Sequence, residues 1–451
     1  MKKFYDIHMH VMDLSHPNLS AFLFKDDLLK SFINWKTRLV LLLAPIGAVL
    51  PERYIVKQMK RIISKNIFVK NTLSFYEIPI EYQFLLLDYF LKNPNKAADT
   101  MVDFNNEFCI DGVFYDKMVL CPLAIDFGYK NIDELGVFYN KAPFKPIAKQ
   151  LGDLYYAIST YYRFELVPDE NPKKLRLDEI NKPLSEIKLE KLFEIYPFMG
   201  LNTRNYSLNK IVGTDGKVGL LDKFFSEFSA EETPDDRRNR LYRKMGIFNG
   251  KMYEDDEMIY KDIFAGIKVY PQLGFDPFPN DEASEEFQKV AFLYEYCIKK
   301  RIPIMAHCSD GGFKVGDFDD ITNPGHKWRK VLDRYPALTI CFAHFGSQQS
   351  GSYEWRKSII ELTQKENVYT DISCNDSSCD YYETLSKTIR DSNVNLRNKV
   401  LFGSDFSINM FASKMESYNQ YLKVFIQSGQ LKYKQELCMD NPEAYLFGKS
   451  L

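Results

Sequence analysis

The chain carries only six histidines, and four of them share one kind of position. His8 and His10 form an H-x-H pair that closes the run FYDIHMH, His307 ends IPIMAH and His344 ends ICFAH. Asp405 ends VLFGSD in the same way. Residues i and i+2 of a strand point to one face about 7 Å apart, so the first two imidazoles can converge on a single cation. Each element alone is weak. A lone histidine after an apolar run is more often a hydrogen-bonded core residue, and a lone Ser-Asp is usually a helix N-cap. Five ligand-type side chains at five strand ends are hard to obtain by accident and imply a divalent metal site. Imidazole and carboxylate donors favour zinc, and manganese, iron or nickel also fit. His16, after the first strand, reads as a loop residue, and His326 as the start of an outer helix.

Those residues need a scaffold that brings strand ends together. From about Asp262 onward, short β-rich runs alternate with helical stretches, with strands expected at 266–270, 303–307, 338–344, 368–373 and 400–405. Strand–helix alternation signals a parallel sheet with right-handed crossovers. Three earlier strands, at FYDIHMH, at MVLCPLAID (118–126) and within KLFEIYPFMGLNTR (191–204), bring the total to eight. Eight is the count of a closed (β/α)₈ TIM-type barrel, an α/β fold whose catalytic residues sit at the C-terminal ends of its strands. Such a barrel needs about 250 residues. The remainder is assigned to a mainly helical insertion at 14–114 and a smaller one at 207–261, with the barrel formed by 1–13 and 115–451. The charge run SAEETPDDRRNRLYRK (229–244) reads as a solvated surface helix or loop.

Composition is too apolar and too balanced for disorder, and the chain is long enough to bury one large core or two ordinary ones. Of 451 residues, 59 are Lys or Arg and 61 Asp or Glu, so no basic surface is available to neutralise a nucleic-acid backbone. Aromatics make up 15%, with 35 Phe and 29 Tyr, which predicts an aromatic-rich core. The longest apolar run, 39–50 (LVLLLAPIGAVL), contains Pro45 and falls short of the roughly 20 residues of a membrane span. It reads as buried core. Asp6, His8 and His10 interrupt any signal-peptide core, and the eight cysteines lack metal-finger spacing, so reduced thiols and a cytoplasmic location are expected.

The motifs DIHMH (6–10), GIKVYP (266–271), PIMAHCSDGG (303–312), ICFAHFG (340–346), VYTDIS (368–373), VLFGSDF (400–406) and DNPEAYLFG (440–448) resemble the amidohydrolase superfamily, in its amidohydrolase-related (amidohydrolase 2) branch. PFMGLNTRNY (197–206) is similar to that branch's third strand, where many members end in Asp-Pro-Arg; here Asn202 and Thr203 replace the first two residues and Arg204 remains. The segments 14–114 and 207–261 match nothing in the branch.

The resemblance implies that His8, His10, His307 and Asp405 bind one divalent metal, zinc being the expected ion, and leave a position for water. His344 would sit beside that water or polarise the substrate's carbonyl, and Asp405 would move the proton from nucleophile to leaving group. Lys268 is either an ammonium that faces a substrate anion or pairs with a carboxylate or, as in some relatives, a carboxylated lysine bridging two metals. Arg204 could fork a substrate carboxylate, and Tyr270 and Asp310 lie near the mouth. Cys308 should point away from it by strand alternation. The implied activity is metal-dependent hydrolysis of an amide, ester or lactone of a small polar molecule. A non-oxidative decarboxylase on the same scaffold is the alternative, and a non-catalytic binding barrel is a third. A barrel-type deoxyribonuclease would use a glutamate where Lys268 stands. The partners expected are a small-molecule substrate, carboxylates included, and no nucleic acid or membrane; a homo-oligomer is compatible with the sequence.

Overall fold

The computed structural model describes residues 1–12, 16, 79–93, 108–127, 143, 145–170, 175–247, 262–316, 318–348, 350–374, 378–392, 394–405 and 418–448. The core segment expected at 39–50 and most of the 14–114 insertion lie outside them. Nine short strands run in parallel: β1 (Lys3–Met9), β2 (Lys117–Pro122), β3 (Phe193–Ile195), β4 (Phe198–Gly200), β5 (Gly266–Val269), β6 (Ile304–Ala306), β7 (Ile340–Phe342), β8 (Val368–Asp371) and β9 (Val400–Leu401). They pair as β1-β2-β3 and as β4 through β9 in sequence order.

Backbone hydrogen bonds join the two sheets at both edges. Tyr196 and Pro197 interrupt the third strand, where a proline has no N–H to give the ladder. β3 therefore pairs with β2, β4 pairs with β5, and a bridge from Leu123 to Phe198 spans the break. At the other edge the Ile7 N–H donates to the Phe402 carbonyl at 3.2 Å, and the Asp405 N–H donates to the His8 carbonyl at 2.6 Å. Counted as one interrupted strand, β3 and β4 complete an eight-stranded ring. The fold is the (β/α)₈ barrel.

Every residue of β2 through β9 is buried, as expected when helices cover a parallel sheet outside and side chains fill it inside. The early connections contain α1 (Ile80–Lys92), α2 (Ile147–Arg163) and α3 (Pro234–Lys244). After β5 come α4 (Glu285–Lys300), α5 (Lys327–Arg334), α6 (Glu354–Leu362), α7 (Cys379–Asp391), α8 (Tyr418–Gln427) and α9 (Asn441–Phe447). α4 shows why these segments are helical. Ser284 caps its first turn, Glu285 and Glu286 follow, and Lys299 and Lys300 close it, all matching the helix dipole. In α9 the Asn441 side chain donates to the Arg397 and Val400 carbonyls, both at 2.8 Å, which ties the closing helix beneath β9.

The charge run at 229–244 forms a surface helix as expected, but part of it is not solvated. α3 starts at a capping box between Thr233 and Asp236, yet Arg237 is only 2% exposed and Arg240 only 8%. Arg237 donates to the carbonyls of Ser229 and Lys300, and both arginines pair with Glu232. The carbonyls that end α4 have no partner inside their own helix, and a guanidinium with five donors can reach several at once.

The edge between β1 and β9 is held by Asp6, which is fully buried. Its carboxyl accepts from the Ser404 N–H at 2.9 Å, the Ser404 hydroxyl at 2.5 Å, the Tyr418 hydroxyl at 2.9 Å and the His8 N–H at 3.3 Å. Asp6→Ala leaves those donors without an acceptor, at a cost of about 1–3 kcal/mol for each one that stays unpaired. Urea unfolding should show a loss of at least about 3 kcal/mol; a wild-type midpoint would remove Asp6 from its place as the closing staple.

Candidate metal centre

The barrel brings His8, His10, His307, His344, Asp405 and Lys268 to one end of its core, all nearly or fully buried. The strands that carry them are shorter than the sequence suggests. His307 directly follows β6, His344 lies two residues beyond β7 and Asp405 four beyond β9. His344 (φ 64°) and Asp405 (φ 48°) occupy the left-handed region, which is unfavourable for residues other than glycine and concentrates at functional sites. The close pass of β9 over His8 requires Gly403, because a Cβ there would lie 2.7 Å from the His8 Cβ.

Each imidazole has its outer nitrogen bound to an acceptor. His8 Nδ1 lies 2.9 Å from Asp371 Oδ2, and His10 Nδ1 lies 2.7 Å from the Leu123 carbonyl. His344 Nδ1 lies 3.1 Å from the Ser373 carbonyl, and His307 Nε2 lies 3.1 Å from the Gly311 carbonyl. Carbonyls and carboxylates only accept, so these nitrogens carry the protons and the inner nitrogens keep their lone pairs. Asp371 and Ser373 serve two rings at once. The Asp371 carboxylate also accepts from the His344 and Ser373 N–H groups and from the Ser373 hydroxyl. The Ser373 oxygen stands 3.0 Å from His8 Nδ1 and 2.9 Å from His344 Nδ1.

The inward lone pairs meet one another. His344 Nε2 is 3.1 Å from His307 Nδ1, and His10 Nε2 is 3.7 Å from Asp405 Oδ1. Donor atoms of His8, His344 and Asp405 all lie within 4.8 Å of each other. His8 Nε2 and Asp405 Oδ1 are buried with no hydrogen-bond partner. Burial pushes all four imidazoles down, His10 to about 3, so no proton is available at neutral pH to relieve the repulsion. Facing lone pairs and an unpaired carboxylate oxygen are the donor set a divalent cation requires, and the residues fit one. Burial raises Asp405 while Lys268 pulls it back, and burial presses Lys268 down to about 8.

The other expected site residues are less alike. Tyr270 stacks on His307, with ring centroids 4.0 Å apart and planes 10° apart, and its hydroxyl accepts from the Phe313 N–H. Gly312 permits this, since a Cβ there would meet the Tyr270 hydroxyl at 2.3 Å. Asp310 lies in the turn after β6, its N–H donating to the Ser347 carbonyl. Arg204 is half-buried in the turn after β4. Cys308 is buried with its thiol toward the Thr322 carbonyl. His16 is buried against Asp153 of α2 at 3.0 Å, and His326 stands exposed at the start of α5.

Residues 253–447 match the Amidohydro_2 family model, described as amidohydrolase. Over those residues the chain is similar to the amidohydrolase-2 family. Solved structures similar to it include an amidohydrolase 2 from Bifidobacterium longum subsp. infantis, 14% identical over 41% of this chain and 62% of that one, with a TM-score of 0.29. A putative 2-pyrone-4,6-dicarboxylic acid hydrolase from Pseudomonas putida is 16% identical over 42% and 65%, with a TM-score of 0.31. An uncharacterised TIM-barrel protein from Bordetella bronchiseptica is 14% identical over 73% and 98%, also with a TM-score of 0.31. The chain thus spans less than two thirds of the first two. No curated protein sequence matches it.

The amidohydrolase match takes in Lys268, His307, His344 and Asp405; His8 and His10 join them through the closed ring. Asp6, Asp371, Ser373 and Cys374, whose thiol hydrogen-bonds Asp405, are site residues that residue type and spacing did not single out. Their only signal was polarity inside otherwise apolar strand-end motifs.

The buried imidazoles set a pH dependence. The metal-free folded protein keeps all four neutral, whereas the unfolded chain protonates them near pH 6.5. Acidification below about 6.5 therefore favours unfolding. Asp6, raised to about 6, and Asp405, also raised, work the other way because the folded state holds their protons longer. Four histidines outnumber the two carboxyls, so the net effect is a loss of stability as pH falls through the range in which unfolded histidines take up protons. Denaturant midpoints of chelated protein should fall from pH 7 to pH 5.5; a flat or rising profile would contradict the neutral-imidazole geometry.

Proposed function

We propose that the protein is a metal-dependent hydrolase that cleaves an amide, ester or lactone bond of a small polar molecule. The observation that carries this is the set of four inward lone pairs beside the unpaired oxygen of Asp405. His8, His10, His307 and Asp405 would hold the ion, with zinc the best match to these donors; the donor atoms that lie within 4.8 Å of one another are those of His8, His344 and Asp405, which makes His344 a ligand candidate of equal standing. A divalent cation bound there supplies Lewis-acid polarisation and lowers the pKa of water towards neutrality.

The chain's own groups account for the proton. Asp405 accepts it from the attacking water and returns it to the leaving nitrogen or oxygen, so no other base is needed. Its hydrogen bond from Cys374 and its fixed left-handed backbone limit where that carboxylate can swing. His344 presents a lone pair inward because its proton is committed to Ser373. Of its two expected roles, that geometry suits accepting from water better than donating to a carbonyl. Tyr270 is held against His307, and Arg204 and Asp310 remain the candidates for substrate contact.

Purified protein should contain about one equivalent of divalent metal. His8→Ala/His10→Ala should lose most of it while keeping its circular dichroism. Wild-type metal content in that variant would exclude the assignment. Turnover of N-acyl compounds, esters or lactones should cease on complete chelation and return with metal. Activity that persists without metal would refute hydrolysis by this route, and carbon dioxide release from carboxylic acids without hydrolysis would replace it with decarboxylation.

A further inference from the structure

Eight lysines are buried among the described residues, and the fold supplies partners to seven. Lys117, Lys188, Lys191 and Lys399 donate to backbone carbonyls at chain turns. Lys289 reaches two carbonyls and Glu286, Lys327 reaches Asp276 at 2.7 Å, and Lys434 reaches Asp111 and a carbonyl. Lys268 is the exception. It is 1% exposed, its Nζ has no hydrogen-bond partner, and it makes no ion pair. Its surroundings are the Tyr270 ring, 5.7 Å away, the buried Cys308 and Cys341 thiols, the four imidazoles, and the carboxylates of Asp371 and Asp405. Asp371 is already saturated by its own donors.

An ammonium held out of water without a partner is strongly unfavourable, and a barrel that satisfies seven others had the means to satisfy this one. The same pocket holds the unpaired oxygen of Asp405, yet the two opposite charges are not in contact. We infer that Lys268 is the cationic half of an anion subsite, and that the substrate carries a carboxylate which lands on its Nζ next to the metal centre. The inference rests on the hydrolase reading above and adds the chemical class of its substrate. A carboxylate there neutralises the buried charge and takes up the vacant donors, a gain available only in the complex.

The test uses zinc-loaded protein titrated calorimetrically with acetate, glycolate and benzoate, each against its amide. At least one acid should bind about ten-fold or more tightly than the amide. In Lys268→Met that preference should vanish, with zinc content unchanged. Ligand-free Lys268→Met should also melt above the wild type, because an unsatisfied buried charge has been replaced by an apolar chain of similar length. A lower melting temperature would mean the ammonium is a structural partner, and the inference fails. It fails equally if no acid outbinds its amide, or if the preference survives the substitution. Zinc content falling from about two equivalents towards one in Lys268→Met would identify a bridging carbamate instead. A wild type that binds no zinc but keeps a Lys268-dependent carboxylate preference would leave the subsite standing and remove the metal reading.

Discussion

Two imidazole nitrogens 3.1 Å apart, each presenting a lone pair, are the feature from which the rest of this structure follows. Left alone, His307 and His344 would relieve that contact by turning a ring or taking up a proton. Both routes are closed. The outer nitrogens are tied to Gly311 and Ser373, so rotation breaks a buried hydrogen bond, and burial beside Lys268 penalises the proton. A pocket held in an unfavourable arrangement by its surroundings is pre-organised for whatever cation relieves it.

That outer layer explains the backbone as well. Asp371 can serve His8 and the His344 N–H together only if the chain after β7 turns back towards β8, which places His344 in the left-handed region. Asp6 does the same at the ring's closing edge, binding Ser404 so that the next residue, Asp405, faces the imidazoles. Strain at two ligand-type residues is thus offset by two saturated carboxylates one layer further out. The aromatic packing of Phe4 against Phe108, Tyr115, Phe402 and Phe425 stiffens the same edge from below.

The residues that could do chemistry were legible in the sequence because few residue types do that chemistry and their positions repeat a pattern. His8, His10, His307, His344 and Asp405 each follow an apolar run, and strand–helix alternation is enough to bring such ends to one face. The barrel was legible for the same reason, down to the eighth strand. Its finer geometry was not. Pro197 was visible, but its effect depends on which neighbour pairs with each half of the strand. The expected strands at 338–344 and 400–405 ran too long because propensity cannot register a left-handed turn imposed from elsewhere. Arg237 looked solvated because a carbonyl it serves, that of Lys300, lies on another segment. The outer carboxylates were hidden by separation along the chain: Asp371 meets His8 across 363 positions and Asp6 meets Ser404 across 398. No local pattern encodes such pairs, nor does it encode which nitrogen of a ring carries the proton.

The distribution of unsatisfied groups then separates scaffold from site. A folded interior pairs nearly all its buried polar atoms, and this one does so even for seven lysines and for Arg237. Unpartnered buried atoms also occur singly elsewhere, as at Trp328 Nε1 and Tyr445 Oη, where an aromatic body supplies the packing and the polar atom is incidental. At the barrel mouth three of them, His8 Nε2, Asp405 Oδ1 and Lys268 Nζ, occur together and include both signs of charge. If the pocket needed only to be stable, the lysine and the aspartate could have met and cancelled. Keeping them apart, in a pocket shared with neutral imidazoles, leaves room for a cation beside the carboxylate and for an anion beside the ammonium. The stability given up there is the physical basis on which both would bind.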